Sequence, residues 1–117
     1  MQPLRYVILH HVNVDEPHFD LMFETFPGSM LATWRSEMWP IEFQTPLTRL
    51  RDHRRLYLDY EGELSAQRGS VQRIGEGTCQ VEVGENNRWT IRLLTGSSPI
   101  TLALRRMIDE HWEANPI

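Results

Sequence analysis

Thr78-Cys79-Gln80-Val81-Glu82-Val83, then Gly84-Glu85-Asn86-Asn87, then Arg88-Trp89-Thr90-Ile91-Arg92-Leu93-Leu94 leaves few folds open. Two runs rich in β-branched and aromatic residues flank four turn formers, which is the pattern of a β-hairpin. Comparable runs recur at Arg5–His10, His18–Glu24, Met30–Arg35, Leu47–His53 and Ser70–Ile74. Turn signals such as Phe26-Pro27-Gly28-Ser29 and Gly75-Glu76-Gly77 separate them. Leu56–Leu64 reads as another strand, or as one ending in a glycine turn. Short strands at this spacing predict an antiparallel β-barrel or sandwich, of which the small barrel is the expectation carried forward. The C-terminus reads differently. Ser97-Ser98-Pro99 has the form of a helix start with Ser98 as N-cap, and Ile100, Leu104, Met107 and His111 fall on one helical face. The expectation is a mainly β chain with a C-terminal α-helix. One domain over 1–117 would hold a barrel over about 5–94 and a helix over about 99–112.

The 117 residues suffice for one hydrophobic core. No apolar run approaches the ~20 residues that span a bilayer. The run after Met1-Gln2-Pro3-Leu4-Arg5 is too short for a signal-peptide core, so a cytoplasmic address is expected. Cys79 is the sole cysteine, which excludes an intrachain disulfide and a cysteine metal cluster. A net charge of −4 argues against a broad basic surface for duplex nucleic acid. All 12 basic residues are Arg, so any mechanism that needs a lysine is ruled out. Arg49, Arg51, Arg54 and Arg55 crowd together, whereas residues 1–48 hold only Arg5 and Arg35. A local basic rim suits a small phosphate-bearing target, through the bidentate grip of guanidinium on phosphate. A solvated charged turn is the plain alternative.

Chemistry concentrates in His10-His11-Val12-Asn13-Val14-Asp15-Glu16-Pro17-His18-Phe19-Asp20-Leu21-Met22-Phe23-Glu24. Strand residues alternate faces and rise about 3.3 Å each, so His18 and Asp20 point the same way, roughly 7 Å apart at the backbone. Phe19, Leu21 and Phe23 point oppositely, toward a core. Such a pair can share one divalent cation, because bonds from His and carboxylate to metal are only about 2.0–2.2 Å. A return through Val12–Pro17 would bring His10 or His11 alongside as a third ligand. A hydrogen-bonded pair on a solvated face is the alternative without metal. His53 shares one face with Arg49 and Arg51 if the Leu47–His53 alternation is regular.

The succession His11, His18-Phe19-Asp20-Leu21, Trp34, Asp52-His53-x-x-x-Tyr57-x-Asp59-Tyr60-Glu61-Gly62, Gly69-x-Val71 and Gly77-Thr78 resembles the 3′-phosphoesterase domain of bacterial DNA ligase D. The resemblance covers roughly residues 5–94 and marks the chain as a stand-alone relative. It implies a small β-barrel that removes ribonucleotides and phosphates from DNA 3′ ends, with a divalent metal, manganese first and zinc or cobalt as alternatives. It implies metal ligation by His11, His18 and Asp20, with His10 open because the gap between histidines is one residue longer here. It implies active-site roles for His53 and Tyr57, a nucleic-acid 3′ end or small phosphoester as partner, DNA repair ligase or polymerase proteins as companions, and a monomer. Three cations of the family are replaced, by Met22, Met38 and Thr45. Arg49, Arg51 and Arg35 are the candidates to bind phosphate in their stead. A metal- and end-binding module that has lost catalysis fits the same residues. A non-haem iron oxygenase or cupin also uses two His and a carboxylate, but gives the His53–Gly62 block no role.

Overall fold

A computed structural model describes residues 3–94 and 98–117 of the chain. Nine strands are β1 (Leu4–Val12), β2 (His18–Glu24), β3 (Leu31–Ser36), β4 (Thr45–His53), β5 (Gly62–Glu63), β6 (Ser70–Val83), β7 (Arg88–Leu94), β8 (Ile100–Ile108) and β9 (His111–Pro116). They hydrogen-bond in the order β1-β2-β3-β4-β9-β8-β7-β6, and β1 pairs with β6 to close an eight-stranded antiparallel barrel. The short β5 adds to the start of β6 on the side away from β1. No helix among the described residues is long and apolar enough to cross a membrane.

Alternation builds two apolar layers. All eight barrel strands send residues inward, among them Ile8, Leu21, Phe23, Trp34, Leu47, Cys79, Ile91, Leu102, Leu104 and Trp112. Burial pushes the Cys79 thiol up to about 12, so it stays protonated and unreactive in the folded chain. The outer faces of β1, β2 and β3 carry Val7, Leu9, Met22 and Leu31, which Leu58, Tyr57, Tyr60 and Leu64 cover. This second layer explains why β2 is buried on both sides. It also makes a recess outside the barrel wall.

The hairpin at Gly84–Asn87 forms as its composition indicates. Asn86 and Asn87 take left-handed φ angles of +58° and +56°, and the Gly84 N–H donates to the Arg88 carbonyl. Three expectations are corrected. The C-terminal helix is replaced by the β8–β9 hairpin. There β8 buries alternate residues, Leu102 and Leu104, and β9 buries Trp112, Glu113 and Ala114, while Met107 and His111 are exposed. The open sides of β7 and β4 each need a partner, and that closure outweighs helical spacing. Ser98 and Pro99 precede a strand, and Ser97 lies outside the described residues. Second, Arg55–Leu58 is a single 3-10 turn rather than strand, with only Gly62–Glu63 paired beyond it. Third, Ser70–Val83 runs as one strand through Gly75–Gly77, because β1 pairs along it on both sides of a bulge at Ile8/Leu9.

Glu24 closes the far end of β2. Burial alone would raise its carboxyl. Donation from Arg55 Nη1, the Arg5 N–H (2.7 Å) and the Gly28 N–H (3.2 Å) outweighs burial and holds it below the usual carboxylate value. A depressed carboxylate stabilises the fold above its unfolded pKa and loses that contribution as pH falls through the folded one. Glu24→Gln is expected to cost about 1–3 kcal/mol near neutral pH. Urea melts should show the gap to wild type closing in acid; a pH-independent gap would contradict this role.

Candidate metal centre

His11 pairs directly with His18 across β1 and β2, and Asp20 follows two residues on. Alternation sends all three side chains to the outer face, into the recess beneath the Tyr57 and Leu64 segment. His18 and Asp20 are buried and His11 is half-buried. Their potential ligand atoms lie within 4.8 Å of one another. His11 Nδ1 is 3.3 Å from His18 Nε2, His18 Nε2 is 3.5 Å from Asp20 Oδ1, and His11 Nδ1 is 3.9 Å from Asp20 Oδ2.

The protons decide what this cluster can do. His11 Nε2–H donates to the Arg68 carbonyl at 2.6 Å, and His18 Nδ1–H donates to the Glu16 carbonyl at 2.8 Å. A carbonyl only accepts, so each neutral ring turns its lone pair toward the other ring and toward Asp20. Asp20 Oδ1 is buried with no hydrogen-bond partner among the described residues. Three electron-rich atoms thus converge with nothing between them, which is favourable only around a cation or a shared proton. The Asp20 carboxylate beside it raises His18 above the ordinary imidazole value, against the opposing pull of burial. Donors bonded to one metal at about 2.0–2.2 Å stand about 3.0–3.5 Å apart, so small side-chain shifts suffice. Two imidazoles and a carboxylate suit zinc, cobalt, manganese or iron. The residues fit a divalent metal.

His10 does not compete with His11. It stacks on Phe19 at 4.5 Å, and Phe19 packs against the interior cluster. The recess, about 210 Å³, is also lined by His53 and Tyr57. Their rings meet edge to face at 5.9 Å. His53 Nδ1–H donates to the Arg51 carbonyl at 2.9 Å, which leaves Nε2 as its remaining ring nitrogen. The 3-10 turn supplies Tyr57.

The expected phosphate clamp is elsewhere. Thr33 pairs with Leu50 but Leu31 pairs with His53, so β4 carries one extra residue and its alternation breaks. Arg49 therefore points inward while His53 points out. The Arg49 guanidinium lies 4.2 Å over Trp34, with Trp89 at 5.1 Å and Trp112 at 5.8 Å, as a cation–π plug at one end of the barrel. Burial pulls its pKa down, partly offset by Asp52. Arg51 is exposed and does not line the recess. Arg35 sits across from Asp20 but pairs with Glu16 at 3.2 Å. Met22 lines the recess, whereas Thr45 and Met38 do not.

Sequence reasoning missed Arg68, which does line it. Its signal was the neighbouring Gly69 and the short Ser65-Ala66-Gln67 run, which alone specify only a turn. No protein-family model and no curated protein matches the chain.

Proposed function

We propose that the chain is a divalent-metal-dependent phosphoesterase acting on nucleic-acid 3′ ends, where it removes a 3′-ribonucleotide or 3′-phosphate in the manner of the DNA ligase D phosphoesterase domain. One observation carries the proposal: two histidines whose N–H groups are fixed on backbone carbonyls, and a buried Asp20 whose Oδ1 has no hydrogen-bond partner among the described residues, share a recess with His53 and Tyr57. His11, His18 and Asp20 would hold the metal, manganese by the resemblance and zinc or cobalt by the same donor set. When bound, it would polarise a phosphoryl oxygen and acidify a water. His53, anchored through Nδ1, keeps Nε2 to donate to phosphate or to protonate the leaving oxygen. The Tyr57 hydroxyl donates to the same phosphate. The recess takes a chain end or a small phosphoester. A cytoplasmic monomer working beside repair ligases or polymerases fits this reading.

The displaced clamp favours a second reading. With Arg49 in its tryptophan cage and Arg35 held by Glu16, a metal- and end-binding module without turnover is the alternative. A primer–template ending in one ribonucleotide or a 3′-phosphate, incubated with and without manganese, separates them. The phosphoesterase reading expects manganese-dependent trimming, reduced about 10²–10⁴-fold by His53→Ala. Bound metal and bound DNA with no trimming would favour the module.

A further inference from the structure

We propose that Arg68 is the anion-gripping residue of this recess, presented by the Ser65–Gly69 turn to a phosphate group beside His11, His18 and Asp20. The proposal rests on the metal-centre reading above. Arg68 lines the recess, whereas Arg35, Arg49 and Arg51 do not. Its backbone is tied to the cluster, because its carbonyl takes the His11 Nε2–H. The residue that fixes the tautomer of one ligand therefore also carries a guanidinium on the turn that borders the recess.

The turn has a defined shape. Ala66 and Gln67 both hold left-handed φ angles of +57°, and Gly69 holds +85°. Non-glycine residues adopt that region at a cost, so the surrounding contacts must impose it. A Cβ on Gly69 would stand 2.4 Å from the Val12 carbonyl oxygen and 2.6 Å from Val14 Cγ1. Only glycine lets the turn seat on the end of β1. The Leu64 N–H closes it by donating to the Gly69 carbonyl at 2.8 Å.

The guanidinium is steadied in the same turn. Nε donates to the Ser65 carbonyl and Nη2 to Ser65 Oγ, each at 2.9 Å. Two of five N–H groups are thus engaged, and the rest are left to face an anion. A planar fork of this kind matches two phosphate oxygens. Of the other candidate clamps, Arg49 is caged by tryptophans, Arg35 is paired with Glu16, and Arg51 does not line the recess.

The test reads binding rather than turnover. Inorganic phosphate is titrated into the manganese-loaded chain, with ³¹P relaxation reporting phosphate close to the paramagnetic ion. Arg68→Ala and Arg68→Lys keep the residue-68 carbonyl, and therefore the His11 hydrogen bond. Manganese affinity is expected to stay within about threefold, while phosphate affinity falls at least about tenfold in Arg68→Ala and less in Arg68→Lys. Equal phosphate affinity in wild type and Arg68→Ala, or no phosphate binding by wild type, would overturn the proposal. If wild type holds no manganese, the metal-centre reading fails by itself. Calorimetric titration of phosphate into the metal-free chain then decides Arg68 by the same tenfold criterion.

Discussion

Asp20→Asn is expected to weaken divalent-metal binding by more than about 100-fold, beyond the 10–100-fold typical of losing an outer-shell partner. It should do so without unfolding the chain. Asp20 Oδ1 is buried and accepts no hydrogen bond among the described residues, so neutralising the carboxyl strands no donor there. It also removes a buried charge whose nearest counter-groups are imidazoles 3.5 and 3.9 Å away. The metal-free variant should therefore melt at or above the wild-type temperature. Wild type in manganese at 100 times its Kd should gain about 2.7 kcal/mol, or roughly 10 °C for a domain of this size. Asp20→Asn should gain almost nothing. Calorimetric titration with paired melting curves measures both effects. A variant that loses stability yet keeps its metal response would make Asp20 a structural residue.

The largest stability effect is expected at Trp34. Its side chain is fully buried and touches Phe23, Trp89 and Trp112 at ring separations of 6.0, 5.0 and 5.3 Å. Arg49 lies over its face at 4.2 Å. Trp34→Ala opens a cavity at the crossing of β3, β7 and β9 and removes the platform beneath a half-desolvated cation. The cost should be about 3–5 kcal/mol, a large share of the 5–15 kcal/mol that holds a typical domain folded. Trp34→Phe keeps a ring under Arg49. It also sacrifices no hydrogen bond, since Trp34 Nε1 has no partner among the described residues. It should cost clearly less. Urea denaturation measures both, and a Trp34→Ala variant within about 1 kcal/mol of wild type would remove the cage from the account.

What the sequence made legible was local and periodic. The alternation in His18–Glu24 separates Leu21 and Phe23 from His18 and Asp20, and the barrel keeps that separation. The Gly84–Asn87 turn carries its own backbone signature. What was illegible depended on partners far along the chain. Ile100, Leu104, Met107 and His111 match a helix on spacing, but the segment is a hairpin because β4 and β7 need neighbours to close the barrel. Arg49, Arg51 and His53 share parity in the sequence, and the extra residue opposite Leu31–Thr33 breaks it. Arg68 reaches the site from 57 residues beyond His11, through a backbone carbonyl that no side-chain pattern encodes. His10 and His11 were equivalent until pairing with β2 assigned one to each face.

The most direct test of the metal centre is pulsed electron paramagnetic resonance on the chain holding one equivalent of manganese. Modulation from two coordinated imidazole nitrogens is expected, one lost in His11→Ala and the other in His18→Ala, with His10→Ala unchanged. A spectrum of hydrated manganese without nitrogen coupling in wild type, or one unaltered by His11→Ala and His18→Ala, would contradict it.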